Sequence, residues 1–583
     1  MNPDDSINDW TVMVYLAGEN NLAEECVYAL KEMKRAMPRL DSRGLTHDTA
    51  DSNVKVVAQL DASGLGGAEV RYVLRRGDVD GRLRRDVVAT RDTSETSYRS
   101  VVKDFLVTSV TTDNGLARKY MVVLAGHGAG AEGSFLSRDA DPPDALSIPK
   151  LQWVFNEARK DIKQELREHL RGELSDEVRA YIEGFDDEDF RFDLLGIDSC
   201  LMSMAETCYE LRQHVKYLVG AEGFEPNTGW PYERILTELY SNSPDYAHEP
   251  GGTAALADKI VGLYTTYYSD YLPAGRSVDL AACDLGRCDD LKRAVAGLAE
   301  ALRAELKTDG GRRAILLAHW EAQTYKDDLY VDLYDFCNLL SEGPGGDDGG
   351  DDPWGTGTAV MRGMQVGDYL KDACREVKRV LRGDEKGAGM ILRSCYSGPA
   401  VQYSHGLAVY FPWSQVSEHY GSLEFARDTG WHLFLREFVE ATRRRVRACA
   451  PGVHSELLFS KPGFRTSAGG LTFLPVNDRV DVVLNSRVDV IINSRNMSNK
   501  IGSMKNPALA YHECPCGEAV PATVADPNGA LALSRADTGA TSLPDDGGGG
   551  DYQPGDGQGG DPTAGETGGR RPRATKKGRT KKK

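Results

Sequence analysis

Residues 119–130 read KYMVVLAGHGAG, an apolar run that stops at a histidine held between two glycines. Four consecutive apolar residues, Met121 to Leu124, do not alternate as a half-exposed strand would. They suit a strand covered on both faces, which is the condition of a parallel sheet. A histidine placed only for packing needs no glycine on each side. Glycine beside it lets a backbone N–H come close to a reacting atom.

Similar runs lie on both sides of this one. WTVMVYLAG (10–18), VKVVAQLDA (54–62), EVRYVLRR (69–76), FDLLGIDSC (192–200) and KYLVGAEGFE (216–225) read as strands. Helical patterns such as NLAEECVYALKEMKRAM, RSVVKDFLVTSVTT and LMSMAETCYELRQHV fall between them. This alternation predicts an α/β fold, a mostly parallel central sheet with helices on both faces. A second set follows: strand SVDLAACDL (277–285), helix CDDLKRAVAGLAEALRAEL, and strands near 389–398 and 406–412. Between them SEGPGGDDGGDDPWGTG (341–357) clusters carboxylates but lacks ordered calcium-loop spacing, and reads as a solvated loop.

The expected organisation is a main domain over 1–450, with a long, charged, helical insertion at about 158–190. A small β-rich appendage over 451–534 follows, where the near-repeats Arg479–Ser486 and Arg487–Ser494 alternate toward period 2. Residues 535–583, Gly/Asp/Pro-rich and then basic, are expected to be a disordered tail. His512, Cys514 and Cys516 have no second cysteine pair nearby, so no metal site is expected there.

The net charge of −18 over 583 residues hides an asymmetry: the last fourteen carry nine positive charges and no acid, leaving the body at about −27. An acidic body argues against general nucleic-acid binding, although the tail alone could meet a polyanion or an acidic partner surface. No apolar run reaches membrane-spanning length. The acidic start lacks a secretory pattern, and eleven cysteines without small-scaffold spacing suggest reduced thiols. The expectation is a cytoplasmic protein. No glycine-rich phosphate loop follows the first strand, so no nucleotide or redox cofactor is expected.

In an open α/β sheet the reacting groups lie beyond the carboxyl ends of the strands. His127 ends one strand and Cys200 ends the next in sequence, so neighbouring strands would bring imidazole and thiol together. Cys200 is expected where the following helix begins, a position that lowers a thiol pKa. A thiolate beside an imidazole is a nucleophile for acyl transfer, with the Gly128 and Cys200 N–H groups as oxyanion donors. A lone cysteine is more often a small buried hydrophobe; the pairing of two strand ends separates Cys200 from the others. Asp198 shares a face with Cys200, either capping the next helix or opening into the cleft. His405 precedes its strand and is expected to be structural.

WTVMVYLAGENNL, LAGHGAG, GIDSCLMSMAET, EPNTGWPY and GLAVYFP, in this order, resemble the clostripain family of cysteine peptidases from about Trp10 to about Phe438. The resemblance implies a caspase-like three-layer sandwich and a Cys/His dyad at Cys200 and His127. It also implies a protein or peptide substrate with a basic residue before the scissile bond, and self-cleavage between the two dyad residues. Asp198 would be a carboxylate in the pocket for that basic residue. Calcium dependence occurs among relatives, but no clear site is seen in this sequence. Two departures stand out: the charged 158–190 interval, and Asn227 and Thr228 where basic-specific relatives place a carboxylate near the Gly-Trp loop. The expected function is a cysteine endopeptidase. The alternatives are a catalytically inactive caspase-like scaffold, or a thiol acyltransferase or amidase using the same dyad.

Overall fold

The apolar runs form the middle of a nine-stranded sheet. In chain order its strands are β1 (Asn8–Gly18), β2 (Val54–Ala62), β3 (Ala68–Val73), β4 (Val87–Asp92) and β5 (Ala117–Ala125), followed by β6 (Phe192–Asp198), β7 (Val215–Gly220), β8 (Val278–Asp284) and β9 (Ile391–Ser397). Their spatial order is β9-β8-β7-β6-β5-β1-β2-β3-β4. The five middle strands, β2, β1, β5, β6 and β7, pair in parallel. Two antiparallel strands flank them on each side. The computed structural model describes residues 7–37, 53–62, 68–75, 83–92 and 98–447, the last without 113, 132, 134, 139–143, 173, 270–276, 327–328, 342–365, 386 and 414, and the strands Phe464–Ser467 and Gly470–Phe473.

The alternation of side chains along each middle strand divides the core in two. Trp10, Val12, Val14 and Leu16 of β1 face one side with Met121 and Val123 of β5. Met13, Tyr15 and Ala17 face the other with Val122 and Leu124. Helices α1 (Ala23–Ala36), α6 (Tyr232–His248) and α7 (Gly252–Ser269) cover the first face. Helices α2 (Tyr98–Thr111), α3 (Ile148–His169), α4 (Asp176–Glu183), α5 (Ala205–Leu211) and α8 (Cys288–Glu305) belong to the second core. The three-layer sandwich expected from the sequence is the fold that forms.

GLAVYFP does not join the large sheet: Ala408–Tyr410 pairs with Tyr330–Asp332, which pairs with Thr324–Tyr325. β4 went unread because VVATRD mixes charge with short apolar residues, as an edge strand can. The charged 158–190 interval is helical as expected, but its helix starts ten residues earlier. Ser147 caps α3 through the Lys150 N–H and Pro149 occupies its first turn. α3 then buries Leu151, Phe155, Ala158, Ile162 and Leu166, so it is a layer of the core. The Gly/Asp loop beyond Ser341, the near-repeats, His512, Cys514 and Cys516, and the tail lie outside the described residues. Among the described residues no helix is long and apolar enough to cross a membrane.

Candidate active site

β5 and β6 lie side by side with Ala125 opposite Asp198, and both strands end there. The Gly126 N–H donates to the Asp198 carbonyl at 3.2 Å, carrying the ladder one step further. Two residues past each strand end stand His127 and Cys200, both half-buried. They line one cleft, open to solvent, whose empty space is about 470 Å³. Leu16 at the end of β1, Leu22 and Cys26 at the start of α1, and the loop from Glu225 to Gly229 complete its walls.

Gly128 lies against the turn that carries the thiol. A Cβ there would clash with the Ser199 hydroxyl and sit 2.5 Å from the Cys200 carbonyl oxygen. Close approach of two backbones is what the glycine after the histidine provides. The His127 ring is held by its Nε2, 2.6 Å from Asn21 Oδ1.

The Cys200 sulfur accepts a hydrogen bond from the Glu225 N–H at 3.3 Å. Burial pushes its thiol above the ordinary value; the Glu225 and Cys200 N–H groups pull it down, and the Asp198 and Asp279 carboxyls raise it further. The helix-terminus expectation is corrected. α5 begins only at Ala205, and Cys200 sits in a turn whose next residue, Leu201, has φ +66°. A helix dipole acts within about a turn of the helix end and gives this thiol little help. The left-handed Leu201 is held by its N–H to Gly223 O at 2.9 Å, and such backbone strain gathers at functional turns.

Asp198 is buried at the floor of the cleft. It accepts the Tyr232 hydroxyl at 2.6 Å and the Trp230 N–H at 3.2 Å, so it does not cap the following helix. Gly229, at φ +68°, passes so close that a Cβ would lie 2.7 Å from Asp198 Oδ2. Burial raises the Asp198 carboxyl, partly offset by the hydrogen bonds from the Tyr232 hydroxyl and the Trp230 N–H. Glu225 is its neighbour and was not singled out from sequence. Its carboxyl is raised well above the ordinary range by burial, then by the Asp198 charge and Cys200. Asn227 and Thr228 line the same cleft without charge, but Glu225 supplies the second carboxyl that the sequence reading found missing. The signal was the glutamate heading EPNTGWPY.

Behind the cleft, Asp279 of β8 accepts the Glu222 N–H at 2.7 Å and the Gly223 N–H at 3.0 Å. It thereby holds the segment that presents the Glu225 N–H to the sulfur. His405 stays away from the cleft. It is buried, with its Nδ1 3.3 Å from Asp332 and its N–H donating to the same carboxylate. Among the described residues no group of three His, Cys, Asp or Glu side chains could hold a metal ion.

The model of the clostripain family, peptidase family C11, matches residues 14–343, more than half of the chain. The chain belongs to the clostripain family. It is therefore a cysteine peptidase by family, with the caspase-like fold of the C11 proteases. It is similar to the X-ray structure of a secreted C11 cysteine protease from Bacteroides thetaiotaomicron in complex with an irreversible peptide inhibitor. Identity is 18%, with 73% of this chain and 99% of that one covered, and the TM-score is 0.47. It is also similar to an inactive zymogen C11 protease from Parabacteroides distasonis at 16% identity, 73% and 99% coverage and TM-score 0.43. A search of curated proteins finds no match.

The cytoplasmic expectation is corrected by these comparisons, because the Bacteroides clostripain-family protease is described as secreted. The thiols were a poor guide for a physical reason. Of the eight free cysteines among the described residues, six are buried, so burial protects them whatever the surrounding redox state.

Proposed function

We propose that this clostripain-family protein is a cysteine endopeptidase in which Cys200 and His127 react as one unit. The observation that carries this reading is the pairing of Ala125 with Asp198, which delivers both side chains into one cleft. The raised thiol is protonated at rest, so His127 takes its proton as the sulfur attacks the peptide carbonyl carbon. The tetrahedral oxyanion is held by the Gly128 and Cys200 N–H groups. The imidazolium then protonates the leaving amine, and water, deprotonated by His127, releases the acyl group from sulfur. Every proton moves among thiol, imidazole, amine and water, so the scheme calls on no cofactor.

Asp198, joined by Glu225, would receive a basic side chain before the scissile bond. A cation entering between two carboxyls that burial keeps from ionising together supplies the charge that lets both ionise. Arginine should be favoured over lysine, because a guanidinium meets a carboxylate through two hydrogen bonds. Self-processing between His127 and Cys200 belongs to the same reading.

The test is turnover of fluorogenic peptides with Arg, Lys, Asp or Leu before the cleaved bond. Wild type should cleave the basic peptides and lose this activity to iodoacetamide and to Cys200→Ala. His127→Ala should fall by orders of magnitude, with melting temperatures unchanged. Wild-type turnover by either variant would end this reading.

A further inference from the structure

The ring of a catalytic histidine must be turned, and its proton placed, before it can serve a thiol. Asn21 does both in this geometry. Its Oδ1 lies 2.6 Å from His127 Nε2. An amide oxygen only accepts, so Nε2 must carry the hydrogen. In neutral imidazole that leaves the lone pair on Nδ1, the nitrogen free to take a proton in the cleft. We infer that Asn21 is a positioning residue of the catalytic pair, fixing the orientation and tautomer of His127.

Both ends of this contact are held independently of it. Next to Asn21, Asn20 is buried: its Nδ2 donates to Ala17 O at 3.1 Å and Ser137 O at 2.8 Å, while its Oδ1 accepts the Leu22 N–H at 2.8 Å. That ties the GENNL turn both to the end of β1 and to the segment following the histidine. On the other side, His127 O accepts the Leu136 N–H at 2.8 Å. The carbonyl of Ala129 accepts Lys326 Nζ at 2.7 Å and the Tyr330 hydroxyl at 2.5 Å. With both backbones pinned, Asn21 is left to act on the ring itself. Removing its side chain should cost orientation rather than fold.

The inference rests on the reading of Cys200 and His127 as the reacting pair, and the experiment separates the two. The full chain is compared with Asn21→Ala, Asn21→Asp and His127→Ala. kcat and KM are measured on the arginine peptide over about pH 5–9, and Cys200 alkylation by iodoacetamide is followed by peptide mass mapping. Asn21→Ala should lower kcat about 10- to 100-fold with KM and melting temperature unchanged, the pattern of a misoriented group. Alkylation of Cys200 at neutral pH should slow with it. Asn21→Asp keeps the acceptor and adds a charge that favours imidazolium, so the acid limb of kcat/KM, where the base is lost to protonation, should move up by about one pH unit. Undiminished kcat in Asn21→Ala, or an unmoved acid limb in Asn21→Asp, would overturn the role of Asn21. If His127→Ala alone is inactive, the pair stands and only this inference falls. If His127→Ala turns over like wild type, the underlying reading falls with it.

Discussion

At the floor of the cleft, Asp198 and Glu225 compete for one negative charge, and burial raises both carboxyls. Asn at position 198 would keep an acceptor for the Tyr232 hydroxyl while removing the charge, so the fold should survive Asp198→Asn. Losing one partner of a partly desolvated ion pair costs about 2–5 kcal/mol, a loss of roughly 30-fold or more in preference. The arginine-over-leucine ratio in kcat/KM should drop by that amount in Asp198→Asn, and by a similar factor in Glu225→Gln. An unchanged ratio in both variants would remove the pocket assignment while leaving Cys200 untouched. Asp198 could be placed from sequence because a strand's period of two puts it on the face of the nucleophile. Glu225 could not, because its approach depends on the local Gly229 turn closing over Asp198 and on the Asp279 clamp, and both Asp198 and Asp279 are distant from it in sequence.

Elements decide how accessible the basic residues between His127 and Cys200 are to a protease. Arg159, Lys160, Lys163 and Arg167 all lie within α3. Arg159 donates to Phe190 O and Gln213 O, each at 3.3 Å, and Lys163 pairs with Asp186 and Asp187. A packed helix offers no extended segment for cleavage. Arg171 and Gly172 are exposed in the turn between α3 and α4. The expected self-processing clip is therefore after Arg171, absent in Cys200→Ala and lost in Arg171→Ala, as read by intact mass and N-terminal sequencing after long incubation. A single uncut wild-type chain would remove it. The Gly128 turn gives a second element-scale test. Gly128→Ala forces the His127 and Cys200 turns apart, and a displacement near 1 Å at reacting groups costs about 100-fold in rate. Full activity in this variant would show that the two turns do not need their close approach. The parallel strands and covering helices were readable from apolar runs and helical periods. The short Cys200 turn was not, since the LMSMAET pattern looks helical from its first residue while Leu201 is left-handed.

Across the whole molecule, buried carboxyls make stability depend on pH. Burial raises Glu206 and Glu210 to about 7 and Asp279 to about 6. Folded values above the unfolded ones mean that the native state binds more protons. Their contribution is complete below about pH 4 and is lost as pH rises through 6 to 7. For Glu206 alone the stake is on the order of 3 kcal/mol. Glu206 accepts the Tyr410 N–H and the Tyr420 hydroxyl through one oxygen. Glu206→Gln can keep that oxygen, so its melting temperature should fall less steeply than wild type between about pH 5 and 8. Parallel curves would show that Glu206 does not titrate there. The division of the chain at about 450 and 535, and a polyanion or acidic partner for the basic end, remain proposals resting on composition. Deleting 535–583 should leave melting temperature and peptide turnover nearly unchanged.

The pairing of two strand ends as a single reacting centre is tested most directly by covalent capture. A peptide ending in arginine and an electrophilic ketone should add once to wild type, and peptide mapping should place the adduct on Cys200. His127→Ala should label far more slowly, and Cys200→Ala not at all. An adduct on another cysteine, or steady cleavage of the matched peptide by enzyme whose Cys200 is fully labelled, would contradict the assignment.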